Sequence, residues 1–250
     1  MRRVFTCLAV LGLAVLGLSA TASAVPTITF KAKAIPIPHF PHTGNILGAG
    51  AAVQTEFTIS GTEYGGFPPP LTGVTVYLPA GVKLHPQGFA TCPPSLIKEK
   101  GPAPCPKKSI AGPKGSASGV VSFGSERVAE TVSVQPFFAP GGNLEFYVNG
   151  TSPVSIEILS KGSLTSAAPP FGPKLVAEVP LVESVPGALD ASAERISVKV
   201  GAAYKKGKKT VYYGTVPKKC PKGGFPLKAE MTFLGGATAA ASYKAPCPKK

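Results

Sequence analysis

The sequence predicts an all-β fold, an antiparallel β-sandwich of about ten or more short strands stapled by disulfides. Three observations point there. Apolar and polar residues alternate with period two in segment after segment, while no 3.6-residue periodicity runs over a useful length. The chain holds 29 Gly and 28 Pro in 250 residues, which breaks long helices. Cys92, Cys105, Cys220 and Cys247 form an even set in a chain that reads as exported, the pattern of a two-disulfide framework.

Export is read from residues 1–24, a secretory signal peptide. Arg2 and Arg3 give a positive start, residues 8–18 an apolar core, and Ala22-Ser23-Ala24 a small-x-small cleavage site. The mature chain is expected to begin at Val25, and Cys7 leaves with the leader. The apolar core is too short to span a bilayer, and no later run approaches about 18 apolar residues. A secreted, extracellular protein with no transmembrane segment in the mature chain is therefore expected. Residues 25–250 fit a single β-sandwich domain, with 112–117 as the place where it would divide into two smaller β units.

The strands follow in order. Residues 27–35 put Ile28, Phe30, Ala32 and Ala34 on one face and Thr27, Thr29, Lys31 and Lys33 on the other. Pro36, Pro38 and Pro41 end that strand. Val53, Thr55, Phe57 and Ile59 mark the second strand, and Val74, Val76 and Leu78 the third, stopped by Pro79-Ala80-Gly81. Segments 117–123 and 128–135 read as a hairpin around Gly124-Ser125. Leu144, Phe146 and Val148 alternate with Glu145, Tyr147 and Asn149, and Asn149-Gly150 is a favoured turn pair before Val154, Ile156 and Ile158 return. Further strands are expected over 174–179, 195–200, 210–216, 227–233 and 238–243. Only 184–193 has the composition of a short helical turn.

Four cysteines allow three pairings. Cys92–Cys105 and Cys220–Cys247 are favoured because each pair is close in sequence and bounded by Pro. A four-cysteine zinc site lacks the two-to-four-residue spacing that zinc ribbons use.

The order Val74-Thr75-Val76-Tyr77-Leu78-Pro79-Ala80-Gly81-Val82, then Cys92, then Cys105-Pro106-Lys107-Lys108-Ser109, resembles a group of exported actinobacterial β-rich proteins of unassigned function. Gly172-Pro173-Lys174-Leu175 and Lys219-Cys220-Pro221-Lys222-Gly223-Gly224 fit the same group. Where those proteins show Ser-x-x-Gly-x-Gly, this chain has Ser109-Ile110-Ala111-Gly112-Pro113-Lys114-Gly115. The resemblance implies export and no catalytic role.

The residue inventory argues against most chemistry. His39 and His42 flank Phe40-Pro41 and His85 stands alone, so a metal would lack a third ligand. The single aspartate, Asp190, and the absence of a Gly-x-Ser-x-Gly elbow argue against a serine triad and against clustered-carboxylate calcium sites. A Glu145–Glu157 pair across the Asn149-Gly150 turn would consist of exposed strand residues. No catalytic residue, metal or cofactor is expected, and a hydrolase with an unrecognised site is kept only as an alternative. The chain has no Trp, which counts against the commonest sugar-binding platforms.

Charge leaves one candidate site. The chain carries 26 basic and 12 acidic residues (net +14), and since the leader holds only two arginines the mature chain stays near +12. Lys205, Lys206, Lys208 and Lys209 crowd a hairpin tip, followed by Lys218, Lys219 and Lys222, and the chain ends in Lys249-Lys250. Such a cluster suits polyanions, here an anionic envelope polymer or a membrane surface; nucleic acid is disfavoured for an exported protein. The plainer reading is a solvated turn that blunts edge pairing. The sequence thus points to a non-catalytic exported structural or binding protein of the cell envelope or extracellular space, with polyanion binding through the lysine hairpin as the alternative.

Overall fold

The alternating segments fold as strands of one large sheet. The computed structural model describes residues 25–37, 46–123, 126–183 and 187–247. The signal peptide reading, Pro38, His39, Pro41, His42, Gly124-Ser125, Ser184 and Lys249-Lys250 lie outside the described residues.

The elements are β1 (Thr27–Pro36), β2 (Ala51–Ser60), β3 (Leu71–Pro79), β4 (Lys83–Leu84), α1 (Pro94–Lys100), β5 (Gly115–Phe123), β6 (Glu126–Phe138), β7 (Leu144–Gly150), β8 (Ile156–Ser166), β9 (Phe171–Glu178), β10 (Ser192–Val200), β11 (Ala203–Lys206), β12 (Lys209–Tyr212), β13 (Gly214–Thr215), β14 (Phe225–Phe233) and β15 (Thr238–Ala245). Eleven of them form one sheet in the order β1-β2-β10-β5-β6-β7-β8-β9-β3-β14-β15, every pairing antiparallel. The small sheets β11–β12 and β13–β4 stand apart from it.

The sheet folds back on itself, so that its own halves supply the two layers. Val198 of β10 and Ala177 of β9 lie in one buried cluster although four strands separate them in the sheet order. At the other side Phe30, Phe57 and Ile59 of β1 and β2 pack with Val76, Leu227, Met231 and Phe233 of β3 and β14. β1 and β15 come alongside each other, with no ladder between them among the described residues. Because eleven antiparallel strands alternate in direction, these two end strands run the same way. Lys31, Lys33 and Lys244 point outward there, a charge pattern that discourages pairing with another chain.

The disulfides join Cys92 to Cys105 and Cys220 to Cys247, as their spacing predicts. The first closes a loop that covers the outer face of β7 and β8. Within it lies α1, which the sequence reading missed: Pro94 opens it, Gly101 at φ +68° ends it, and Lys98 and Lys100 sit in its last turn. Ile97 of α1 and Cys92 bury themselves on Phe137, making a small outer core. The helical turn expected over 184–193 is not formed in its described part; Glu183 bridges to Asp190 and β10 begins at Ser192. Asn149-Gly150 belongs to β7 and not to its turn, which follows at 151–155. The strand expected over 210–216 is broken in two, as β12 and β13.

Candidate functional site

Inward side chains do not fill the folded sheet. A cavity of about 480 Å³ lies toward the end where β4 and β13 cross it. Its wall is apolar and comes from many strands: Ala34, Val53, Val76, Leu78, Leu144, Leu164, Val198 and Leu227 all face it. Small residues at the ends of β1 and β15, Ala32, Ala34 and Ala245, leave space where larger ones would close it. Exposed Lys33, Pro246 and Cys247 line it too, so it reaches the surface beside the ends of these two strands. Its size falls in the range of small-molecule sites.

One polar atom stands out in this wall. Tyr213 is 3% exposed and its hydroxyl is buried without a hydrogen-bond partner. Loss of water around it pushes the phenol pKa upward. Its backbone is fixed from both sides, the N–H donating to the Ala202 carbonyl at 2.9 Å and the carbonyl accepting from the His85 N–H at 2.7 Å. Its ring packs on Phe138 and Phe89, at centroid distances of 4.7 and 5.8 Å. The Thr55 hydroxyl, also in the wall, is by contrast engaged, donating to the Val198 carbonyl at 3.3 Å.

A second, smaller cavity of about 200 Å³ lies toward the opposite end, and Phe146, Leu175 and Val198 face both. It holds Glu130, which the sequence reading did not single out. The signal was present, for Glu130 shares the parity of Val132 and Val134 on β6.

The lysine residues sit on a short hairpin, β11–β12, turned at Gly207-Lys208 with Gly207 at φ +60°. Lys206 stands opposite Lys209 in the ladder, while Lys205 stands opposite Thr210 and donates to its hydroxyl at 2.8 Å. Side chains alternate along a strand, so Lys206 and Lys209 share one face and Lys205 lies on the other. The four ammonium groups are thus divided, with Lys208 in the turn. Tyr204 ties the hairpin to the body: its ring meets Phe89 edge to face at 4.8 Å, and its hydroxyl donates to the Gln87 carbonyl at 3.4 Å. Through Phe89 the hairpin joins the aromatic group that holds Tyr213, beside the larger cavity.

The other residues weighed in the sequence are dispersed. His85 is exposed, and Asp190 donates its backbone N–H to the Tyr64 hydroxyl at 3.2 Å. Glu145 does not oppose Glu157; its cross-strand partner is Lys161, and Glu157 pairs with Asn149. Nor is Glu145 exposed. It is 3% accessible beneath the Cys92–Cys105 loop, and burial pushes its carboxyl pKa up against the pull of Lys161 and Lys98. Among the described residues no three His, Cys, Asp or Glu side chains gather as metal ligands, and no helix is long and apolar enough to cross a membrane.

Comparison with protein-family models, with curated proteins and with solved structures finds no match for the chain.

Proposed function

We propose that this is an exported, non-catalytic binding protein of the cell envelope or extracellular space that holds an apolar molecule inside its folded sheet. The observation that carries the reading is the larger cavity, about 480 Å³ of apolar-walled space lined in part by Tyr213, whose hydroxyl is buried without a partner. Packed interiors leave few voids larger than a water molecule, so space of this size in a β-protein is a feature to be explained. Apolar walls reward any apolar guest by area buried, and one hydroxyl orients a guest bearing a single polar atom. Export is supported by the leader-like first 24 residues and by two disulfides, which persist in oxidising compartments.

The neutral apolar dye N-phenyl-1-naphthylamine tests it by fluorescence. Saturable binding near one dye per chain is expected, weakened several-fold in Tyr213→Phe, which keeps the ring and removes the hydroxyl. Absence of saturable binding would return the protein to a purely structural role.

A second reading, attachment to an anionic polymer or membrane surface through the basic hairpin, is favoured by one observation. Lys206 and Lys209 face each other in the ladder as like charges, an arrangement that an anion would relieve.

A further inference from the structure

The smaller cavity carries its own chemistry. Glu130 stands at an inward position of β6 and is 4% exposed. Its Oε2 accepts a hydrogen bond from the Val154 N–H at 3.2 Å, while Oε1 is buried with no partner. Opposite it in the β5–β6 ladder is Gly119, which offers no side chain to meet it. On the other side Gly150 leaves room for the carboxyl group: a Cβ there would come 2.9 Å from Oε1 and 2.6 Å from Val132. Apolar side chains such as Leu71, Val74, Val132, Val148, Ile156 and Ile158 form the rest of the wall. Among the described residues no Lys, Arg or His lines it. Two of its serines are already engaged, Ser160 with the Glu178 carbonyl and Ser192 with the Arg127 guanidinium.

A buried carboxyl oxygen without a donor is among the costlier polar defects a core can contain, and native structures keep few of them. A donor supplied from outside removes that cost. The apolar wall meanwhile favours a guest whose remainder is hydrocarbon, and an empty apolar cavity of this order takes up a ring the size of benzene. A carboxyl group in that position would reject a guest bearing a carboxylate of its own.

We propose that the smaller cavity is a separate binding site for a small apolar molecule bearing one hydrogen-bond donor, an amine or hydroxyl, which Glu130 Oε1 accepts. This does not depend on the larger cavity being occupied, because the two sites differ in volume, in polar atom and in most of their wall, sharing only Phe146, Leu175 and Val198 among the described residues.

The test uses the oxidised mature chain and three probes of one shape, benzylamine, benzyl alcohol and toluene. Binding is followed through the NMR methyl signals of Ile156 and Ile158, with those of Leu78 and Leu84 reporting on the larger cavity. Benzylamine and benzyl alcohol are expected to shift the isoleucine methyls and to bind at least about tenfold more tightly than toluene, with the preference for benzylamine lost in Glu130→Gln, whose single amide oxygen takes the Val154 N–H. Equal affinity for all three, a benzylamine preference that survives Glu130→Gln, shifts confined to the leucine methyls, or no binding at millimolar probe would each overturn the proposal. Should Glu130→Gln not fold, Ala177→Leu, which fills this cavity from β9, decides: it must abolish benzylamine binding while N-phenyl-1-naphthylamine still binds as in wild type. Benzylamine binding unchanged in that variant would overturn the assignment.

Discussion

Phe30 of β1 and Tyr243 of β15 meet edge to face, 6.5 Å between ring centroids, across the seam where the sheet closes without a ladder. Phe30 also stacks on Phe57 of β2 at 5.1 Å and is 5% exposed. Side chains, not backbone hydrogen bonds, therefore hold the two end strands together. Phe30→Ala is expected to cost about 3–5 kcal/mol in urea unfolding, as for other buried Phe truncations. Tyr243→Ala, at a half-buried position, should cost less than half of that. Equal, small effects from both would place the stability of the seam elsewhere.

The two disulfides should differ in accessibility. Cys92 is fully buried in the outer core with Ile97 and Phe137, whereas Cys247 is exposed at the end of the chain described. Mild reductant followed by alkylation and peptide mapping should open Cys220–Cys247 first. Removing either bridge should cost roughly 3–4 kcal/mol on the loop-entropy model, for sequence separations of 13 and 27. Preferential labelling of Cys92 and Cys105 in the native protein would contradict the outer core.

Period-two patterning made the main strands legible. β1, β2 and β14 expose one face and bury the other as their sequences predict. Local spacing also sufficed for the disulfides. The break between β12 and β13 was hidden, because it depends on a distant residue: Gly50 lies so close to the Tyr212 ring that a Cβ there would be 2.0 Å from it. The next residue, Tyr213, then turns into the aromatic group of Phe89 and Phe138. Burial of Glu145 depends on a loop some 40 residues earlier in the chain folding over β7. Neither cavity has any sequence signature, since each exists only once the sheet has folded over. Of the lysine site, the hairpin was legible and the separation of its charges onto two faces follows from the ladder register.

Two glutamates should give stability opposite dependences on pH. The Lys228 ammonium at 2.6 Å, and after it the Tyr77 hydroxyl at 2.6 Å, hold Glu230 below the ordinary carboxylate range. Its contribution is present above the unfolded pKa and fades as pH falls through the lower folded value. Glu145, raised by burial, behaves the other way: its contribution is fullest below the unfolded pKa and is lost as pH rises through the folded one. In urea titrations at pH 7, Glu230→Gln is expected to be less stable than wild type and Glu145→Gln more stable. Both differences should shrink toward about pH 2, where the carboxyl groups are protonated in either state. A Glu145→Gln protein less stable than wild type at pH 7 would show that Lys161 and Lys98 outweigh the burial.

Hairpin charge is tested by salt. Binding of the mature chain to isolated anionic envelope polymer should weaken steeply between low and physiological ionic strength. Changing Lys205, Lys206, Lys208 and Lys209 together to Gln should flatten that dependence, and Lys206→Gln with Lys209→Gln should account for most of the change. Equal binding by wild type and the fourfold variant, at matched stability, would exclude the hairpin as the contact.

The occupancy of the larger cavity is tested most directly by filling it. Ala34 lies on its wall near the end of β1, where a larger side chain can enter the space without displacing a buried neighbour from the centre of the core. Ala34→Phe should keep the far-ultraviolet strand signal and the unfolding midpoint of wild type or better, and should lose saturable uptake of N-phenyl-1-naphthylamine. Undiminished dye binding by a folded Ala34→Phe protein would contradict the claim that this cavity is the binding site.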